Sequence, residues 1–233
     1  MPWSIQELRD LVGLHFDPTR AMRCWSSLQS IDQRQHFAGY HFREYKRLIQ
    51  SRFPAGRTIT QELDAILCFT DEAWTNHLTE REASAHVAAC LQNMHCVSDT
   101  LAQVIYLALG PRLPCLDALG ERNASVGGVS RVLDGMPGCD AIAGKLRELC
   151  AHPEFVYLTD IVNHGKHRRI VGLEITVNSD EGPLVSPRLE LAEFAHDGKK
   201  YAARDVEGFL NDEYARQSHL VVDIGLEINK ALQ

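Results

Sequence analysis

Apolar residues recur every three or four positions through most of the first two thirds of the chain. The clearest stripe lies between about residues 80 and 109 and has seven members: Val87, Leu91, Met94, Val97, Leu101, Val104 and Ala108. This spacing is typical of a helix that buries one face in a bundle. An earlier helix is predicted from Pro18 to about Phe53, because Asp17 is a favoured N-cap and proline is favoured at the first helical position.

Turn-forming residues divide the rest of this helical region. The segment FPAGRT interrupts the chain, and a short helix is predicted over residues 59–69. Thr70 predicts the start of the next long helix, with an irregularity near residues 78–80 and an end at Gly110. The glycine- and proline-rich residues 110–140 predict a connector that contains short helical turns.

After about residue 168 the periodicity changes from helical to strand-like. Three segments are rich in β-branched residues or alternate in polarity: RIVGLEITV at 169–177, PRLELAEFA at 187–195 and KKYAA at 199–203. The turn sequence HDGK predicts that the last two form a hairpin, and Asp205 then caps a final helix. The sequence therefore predicts a mainly α protein, a helical bundle with a small three-stranded antiparallel β-sheet inserted before the C-terminal helix.

The composition is that of a folded globular protein. Of the 233 residues, 45% are hydrophobic and 24% are charged, which excludes disordered and collagen-like chains. A chain of this length can bury one substantial core. We therefore predict a single domain over residues 1–233, with a helical core at about 1–167, a small β insertion at about 168–204 and a closing helix at about 205–233.

Charge, cysteines and the N-terminus bear on where the protein works. The formal net charge is −7, so an RNA contact needs a local basic patch. The N-terminal residues lack the basic and apolar regions of a signal peptide, and no apolar run approaches the roughly 20 residues of a spanning helix. The seven cysteines are irregularly spaced and lack a CxxC motif, which is typical of reduced thiols. We expect a cytoplasmic protein without a membrane partner.

One helical segment concentrates residues of the metal-ligating type, namely His86, Cys90, His95 and Cys96. At about 100° per residue, only His86 and Cys90 share a helix face, so the four side chains cannot converge on one ion. This pair would need partners from elsewhere in the chain. The sequence also lacks HExxH and paired Cys/His spacings. We predict neither a metal site nor a cofactor.

Basic residues with interleaved aromatic residues are concentrated between Ser30 and Arg57. This stretch holds six Lys or Arg side chains against two carboxylates, a net charge of +4. Arg43, Lys46 and Arg47 are the candidate phosphate contacts, as on a surface that binds single-stranded RNA. The alternative is a helix packed in the bundle with its arginines in solvent. Four residues near helical spacing would then face the core: Phe37, Tyr40, Leu48 and Ile49.

The stretch IVNHGKHRRIV, residues 161–171, is the strongest candidate for chemistry. On a helix, Asn163 and His167 are four residues apart and share a face with Lys166 beside them. In metal-independent phosphodiester cleavage, His167 would transfer a proton, and Lys166 or Arg168 would stabilise the phosphate charge. The alternative is structural, because cations in the last helical turn favour the negative end of the helix dipole.

The motif VNHGKH at residues 162–167 resembles the signature of the HEPN superfamily of helical domains. That signature is an arginine, a polar residue, three variable residues and a histidine. Asn163 matches the polar position and His167 the terminal histidine, whereas Val162 stands where the family has arginine. The resemblance covers six residues, and His164 inside the motif is a candidate RNA contact.

The resemblance carries expectations about function. Many HEPN proteins are metal-independent RNases of toxin–antitoxin, abortive-infection and CRISPR-linked systems, and their active sites usually form across a two-fold helix pair. It therefore implies a homodimer that acts on RNA. Either Lys166 or Arg168 replaces the missing arginine in a nuclease, or the protein is a non-catalytic, RNA-associated or defence-related relative.

A non-enzymatic protein-binding module is the alternative class of function. An acidic antitoxin or immunity-type partner would use the net charge of −7 to attract a basic target. The two hypotheses differ in what they require of Asn163, Lys166 and His167. The nuclease hypothesis requires these side chains to line a cleft at a two-fold interface with Arg168 turned inward, and a His167 packed against the sheet would exclude it.

Overall fold

A computed structural model of the chain describes residues 3–54, 56, 58, 60–62, 70–177 and 187–233. The mainly α prediction is confirmed. The helices are α1 (Ile5–His15), α2 (Pro18–Arg52), α3 (Asp71–Leu109), α4 (Pro114–Asp117), α5 (Val126–Leu133), α6 (Asp140–Ala151), α7 (Pro153–His167) and α8 (Val206–Leu232). The strands are β1 (Leu173–Val177), β2 (Pro187–Leu191), β3 (Phe194–His196), β4 (Lys199–Tyr201) and β5 (Arg204–Asp205). The short helix predicted over 59–69 lies largely outside the described residues.

The predicted helix starts are confirmed by their capping bonds. Asp17, Thr70 and Asp205 each accept a hydrogen bond from the backbone N–H three residues later, at 2.8, 3.1 and 2.6 Å. These bonds satisfy N–H groups that have no partner inside the helix. Helix α3 is continuous, so the irregularity predicted near residues 78–80 is absent. The predicted connector contains α4, α5 and two single 3₁₀ turns, at Gly110–Arg112 and Glu121–Asn123.

The predicted antiparallel sheet is confirmed, but one of its strands differs. Strand β2 pairs with β1 and with the short β5, whereas β3 and β4 form a separate hairpin. The hairpin turns at Asp197 and Gly198, whose φ angles of 46° and 82° are left-handed. The hairpin formed by this tight turn contains only three residue pairs, those of β3 with β4. The predicted strand 187–195 is therefore divided, with residues 187–191 in one sheet and 194–195 in the other. Residues 204–205, and not 199–203, supply the third strand.

Contacts along the chain define two compact units. The first comprises Met1–His36, Asn93–Leu158 and Asp212–Gln233, and the second comprises Phe37–Gln92 and Thr159–Asn211. The second unit contains both sheets and all the candidate RNA-binding residues. The single domain expected from chain length stays a prediction.

The first unit is built around an apolar core. Its fully buried large side chains come from several helices and the connector: Leu8, Leu28, Leu101, Ile105, Leu107, Leu116, Leu133, Ile142 and Leu146. Arg20 donates to the backbone carbonyls of Leu107 and Tyr106, at 2.6 and 3.0 Å. These carbonyls belong to the last turn of α3, where the helix itself supplies no donors. The end of the long helix is therefore anchored to α2.

The described cysteines differ in burial, since Cys24, Cys90 and Cys139 are buried and Cys115 is exposed. Six cysteines are described and none forms a disulfide: Cys24, Cys90, Cys96, Cys115, Cys139 and Cys150. Burial raises the pKa of Cys24 and of Cys90 to about 12, so both are protonated thiols at neutral pH. Among the described helices, none combines the length and the apolarity needed to cross a membrane.

Candidate functional site

The end of α7 carries buried and exposed residues side by side. Ile161 and Val162 are buried, whereas Lys166 and His167 in the last turn are exposed. Asn163 is partly buried, one turn before His167. Packing of His167 against the sheet would exclude RNA chemistry, and the exposed His167 does not have this arrangement.

Four consecutive basic residues lie where α7 ends, and we call residues 166–169 the basic segment. Lys166, His167, Arg168 and Arg169 are all exposed. Within the described residues, none of the four forms an ion pair with a carboxylate. Stabilisation of the helix end accounts for cations at 166 and 167, but Arg168 and Arg169 follow the last helical residue. The basic segment is thus a local site of positive charge in a protein of net charge −7.

An apolar cavity of about 210 Å³ borders the basic segment. Residues of α3, α7, the chain before β1, and the two longer strands line it, including Val87, Leu91, Ile161, Val162, Val171 and Leu191. Lys166 is the one charged residue among its described lining residues. Gly165 also lines the cavity, and a Cβ added there would meet no atom within 4 Å. The cavity therefore combines apolar walls with one lysine at its border.

His164 is buried, unlike Lys166 and His167 in the same motif. Only 8% of its surface is exposed. The ring centroid lies 5.4 Å from that of Phe194 and 6.0 Å from that of His196. Neither ring nitrogen has a hydrogen-bond partner among the described residues. This burial removes His164 from the surface that the basic segment presents to solvent.

Asp160 fixes the β3–β4 hairpin to α7. Its carboxylate accepts a short hydrogen bond from the Tyr201 hydroxyl and lies 3.2 Å from the Lys199 ammonium. Tyr201 also stacks on Phe194, with centroids 4.7 Å apart. These contacts position the hairpin that covers His164. The sequence contained only a weak signal for these contacts of Asp160. Asp160 and His164 are four residues apart and so share a face of one helix.

Comparison of the chain with protein-family models, with characterised proteins and with solved structures finds no match. The HEPN resemblance therefore rests on residues 162–167. In the structure, Asn163 and His167 lie one turn apart at the end of α7. The arginine position holds the buried Val162, whose side chain lines the cavity. Membership of the superfamily, and the homodimer that it implies, stay predictions.

The candidate phosphate contacts on α2 are largely neutralised by carboxylates. The Lys46 ammonium lies 2.6 Å from Glu207, and the Arg47 guanidinium lies 2.8 Å from Glu44. Arg43 is exposed and has no ion pair within the described part of the chain. This region thus offers less free positive charge than its net charge of +4 predicts.

The apolar residues of the same helix are only partly packed. Leu48 is buried, and Ile49 is partly buried, as the packed-helix alternative predicts. Phe37 and Tyr40 instead have 53% and 49% of their surfaces exposed. The expectation that both aromatic rings face the core is therefore wrong, because the side of α2 on which they lie stays in contact with solvent.

His86 has a partner that the sequence did not indicate. The Nδ1 atom of His41 on α2 lies 2.9 Å from Nδ1 of His86 on α3. Burial and the nearby His86 together lower the pKa of His41. His95 lies elsewhere, stacked on Phe155 with ring centroids 6.4 Å apart. No group of three or more His, Cys, Asp and Glu residues forms a metal-ligand set within the described ranges.

Proposed function

We propose that this protein is a HEPN-like protein that binds single-stranded RNA through the basic segment without cleaving it. The exposure of Lys166, His167, Arg168 and Arg169, without carboxylate partners among the described residues, carries the proposal. Most of the affinity of proteins for nucleic acids comes from cations that contact phosphates and displace counterions. Cations already paired with carboxylates contribute less, which favours this segment over the candidate phosphate contacts on α2, where Lys46 and Arg47 are paired.

The net charge of −7 sets a condition on this binding. At physiological ionic strength, charges are screened over about 8 Å. A concentrated cluster of cations can therefore attract a phosphate chain although the rest of the molecule is acidic. The same argument predicts a short contact of a few nucleotides and a strong dependence on salt.

The apolar cavity favours a single strand over a duplex. A cavity of roughly 150 Å³ is enough to hold benzene, so the cavity of about 210 Å³ has room for an unstacked pyrimidine base. Lys166 at the cavity would then contact the adjoining phosphate. Bases are free to leave the stack in single strands, where proteins usually recognise RNA.

Two features favour binding over cleavage. Catalytic histidines need a fixed orientation toward the reacting group, and His167 is exposed without a side-chain hydrogen bond to any described residue. Val162 occupies the arginine position and is turned into an apolar cavity. The arginine of the HEPN signature is thus replaced by valine, and its histidine is not held in place by a hydrogen bond to any described residue.

The first prediction concerns affinity. The double variant Arg168→Ala/Arg169→Ala should bind single-stranded RNA roughly tenfold more weakly than the wild type. The slope of log affinity against log salt concentration should fall by about 1.4, because each phosphate contact in a single strand contributes about 0.7. Fluorescence anisotropy with a labelled oligoribonucleotide at several salt concentrations measures both quantities.

The matched control removes two arginines from another surface. Arg122→Ala/Arg131→Ala also lowers the net charge by two, and both side chains are exposed in the first unit. We expect it to bind RNA like the wild type. Equal losses in the two double variants would show that only overall charge matters. Absence of binding by the wild type would favour the protein-binding alternative.

A third variant tests the cavity separately from the charge. Gly165→Leu should fill the cavity, because the glycine leaves open space beside it. We expect weaker RNA binding with an unchanged salt slope, since no phosphate contact is lost. Unchanged affinity would show that no base enters the cavity, while leaving the phosphate contacts of the basic segment in place.

The second prediction concerns cleavage. The wild type should leave a single-stranded RNA substrate intact in the presence of a metal chelator, and His167→Ala should behave identically. The reason is the missing arginine together with the unoriented histidine. Gel analysis of end-labelled RNA measures cleavage. Metal-independent cleavage by the wild type that disappears in His167→Ala would overturn the non-catalytic proposal and establish a nuclease.

A further inference from the structure

One side of α2 exposes two aromatic rings to solvent. Phe37 and Tyr40 have 53% and 49% of their surfaces exposed, and both belong to the second unit. They are three residues apart, so they are neighbours on the helix surface, about 4.5 Å apart along its axis. Exposed apolar side chains that adjoin one another often mark a binding surface. We call this pair of rings the aromatic face.

The ring of Tyr40 is held in place by two imidazoles. Its centroid lies 5.2 Å from that of His41 and 6.2 Å from that of His86 on α3, both in edge-to-face geometry. The two histidines in turn form a hydrogen bond between their Nδ1 atoms, which are 2.9 Å apart. A ring that is already restrained loses little conformational entropy when a ligand stacks on it. Tyr40 therefore presents an ordered aromatic surface to solvent.

Arg43 adds a positive charge beside the aromatic face. It follows Tyr40 by three residues on the same helix surface, is exposed, and forms no ion pair within the described part of the chain. One of its guanidinium nitrogens lies 3.4 Å from the position that a Cβ of Gly39 would occupy. The side chain thus folds back along α2 toward the turn that carries Tyr40. The nearby carboxylate of Glu44 is paired with Arg47 and so leaves this charge in place.

We propose that Phe37 and Tyr40 stack on two unpaired bases of single-stranded RNA while Arg43 contacts a phosphate of the same strand. The inference rests on the proposed RNA binding and adds a second contact to the basic segment. Aromatic rings stack on any base, and cations beside them follow the phosphates. A nucleotide supplies both partners in one repeating unit, a flat base for the rings and an anion for the guanidinium. This charge complementarity favours RNA over an apolar protein surface, which would bury the guanidinium without a partner.

The aromatic face and the cavity beside the basic segment adjoin opposite sides of α3. His86 contacts Tyr40, whereas Ala88 lines the cavity that Lys166 borders. These two positions of α3 are two residues and therefore about 200° apart around the helix axis. A strand that reaches both contacts must pass around α3. The two contacts then act as linked binding sites, so the loss of either weakens the binding of a long strand.

Fluorescence anisotropy with a labelled uridine oligonucleotide of about 20 nucleotides, longer than a typical single-strand site, tests the inference. Phe37→Ala and Tyr40→Ala should each weaken binding about fivefold or more, because each removes one stacking contact, and the salt slope should not change. Arg43→Ala should lower the slope by about 0.7. The matched control is Trp74→Ala, which removes an aromatic ring with 63% of its surface exposed on α3 and should bind like the wild type. Because all four side chains are exposed, the urea midpoint should stay the same.

An RNA of the same length without bases separates stacking from a general loss of binding. The wild type and Phe37→Ala/Tyr40→Ala should bind this ribose–phosphate chain equally, because all its phosphates remain. Equal binding of the uridine strand by these two proteins would overturn the aromatic face as an RNA contact and favour a protein partner there. A loss in this double variant with wild-type binding by Arg168→Ala/Arg169→Ala would instead overturn the basic segment alone. Absence of RNA binding by the wild type would overturn both.

Discussion

Replacement of Arg52 by leucine is expected to lower the free energy of unfolding by about 3–5 kcal/mol. Arg52 ends α2 with 2% of its surface exposed, and it forms ion pairs with the equally buried Glu62 and with Glu80. Burial by itself lowers the pKa of Arg52, but hydrogen bonds and charges of the two glutamates outweigh it and raise the pKa. Removal of the guanidinium leaves carboxylate charge in a site with little water.

Urea denaturation followed by circular dichroism measures this loss. The control is Arg47→Leu on the same helix, whose guanidinium pairs with Glu44 but is largely exposed. Exposed ion pairs contribute about 0–1 kcal/mol, so the control should change stability little. Arg52→Leu/Glu62→Leu should recover part of the loss, because no charge then remains in the buried pair. Equal stability of Arg52→Leu and Arg47→Leu would contradict the buried-pair argument.

Leu101→Ala is expected to destabilise the protein by about 2–5 kcal/mol. Leu101 is completely buried in the core of the first unit, at a position of the apolar stripe on α3. The substitution removes three side-chain carbon atoms and leaves a space that the surrounding helices fill only in part. Thermal and urea unfolding should show the loss as a lower midpoint.

Leu14→Ala is the matched control, because it makes the same chemical change on an exposed surface. Leu14 lies on α1 with 79% of its surface exposed. A substitution there should change stability by no more than about 0.5 kcal/mol. If Leu101→Ala were tolerated as well as Leu14→Ala, the packing of α3 described here would be wrong.

The helices were predictable because their signals are local. All seven stripe positions on α3 are buried, from Val87 to Ala108. A spacing of three and four residues can place apolar side chains on one face only in a helix, so the pattern identifies both the element and its buried side. The capping residues Asp17, Thr70 and Asp205 act within three residues of their partners, and for that reason the sequence located these ends correctly.

Strand pairing was only partly predictable. The turn at Asp197 and Gly198 was visible, because few other residues adopt left-handed backbone angles readily. The pairing of β2 with β1 and β5 depends on segments far apart in the chain, and nothing local distinguishes one antiparallel partner from another. The sequence therefore indicated a sheet without identifying its third strand.

In the candidate site, too, local relations were predictable from the sequence and distant contacts were not. The sequence placed Asn163 and His167 on one face of a helix and collected the cations that follow, because these relations span a few residues. Burial separated His164 from its neighbours through the β3–β4 hairpin, which Asp160 holds in place. In a segment that contains both polar and apolar residues, the exposure of a side chain depends on what packs over it. The residues that cover His164 begin at Phe194, 30 positions later in the chain.

By itself, then, the sequence determined the helical character of the chain, its main boundaries and the basic segment at the end of α7, because hydrophobic periodicity and capping act between near neighbours. The tertiary structure decided which charges are neutralised, as at Lys46 and Arg52, and which cavity adjoins Lys166. It also brought His41 to His86 across 45 positions. Contacts at such separation depend on how whole helices pack, and no short pattern of residues records that packing.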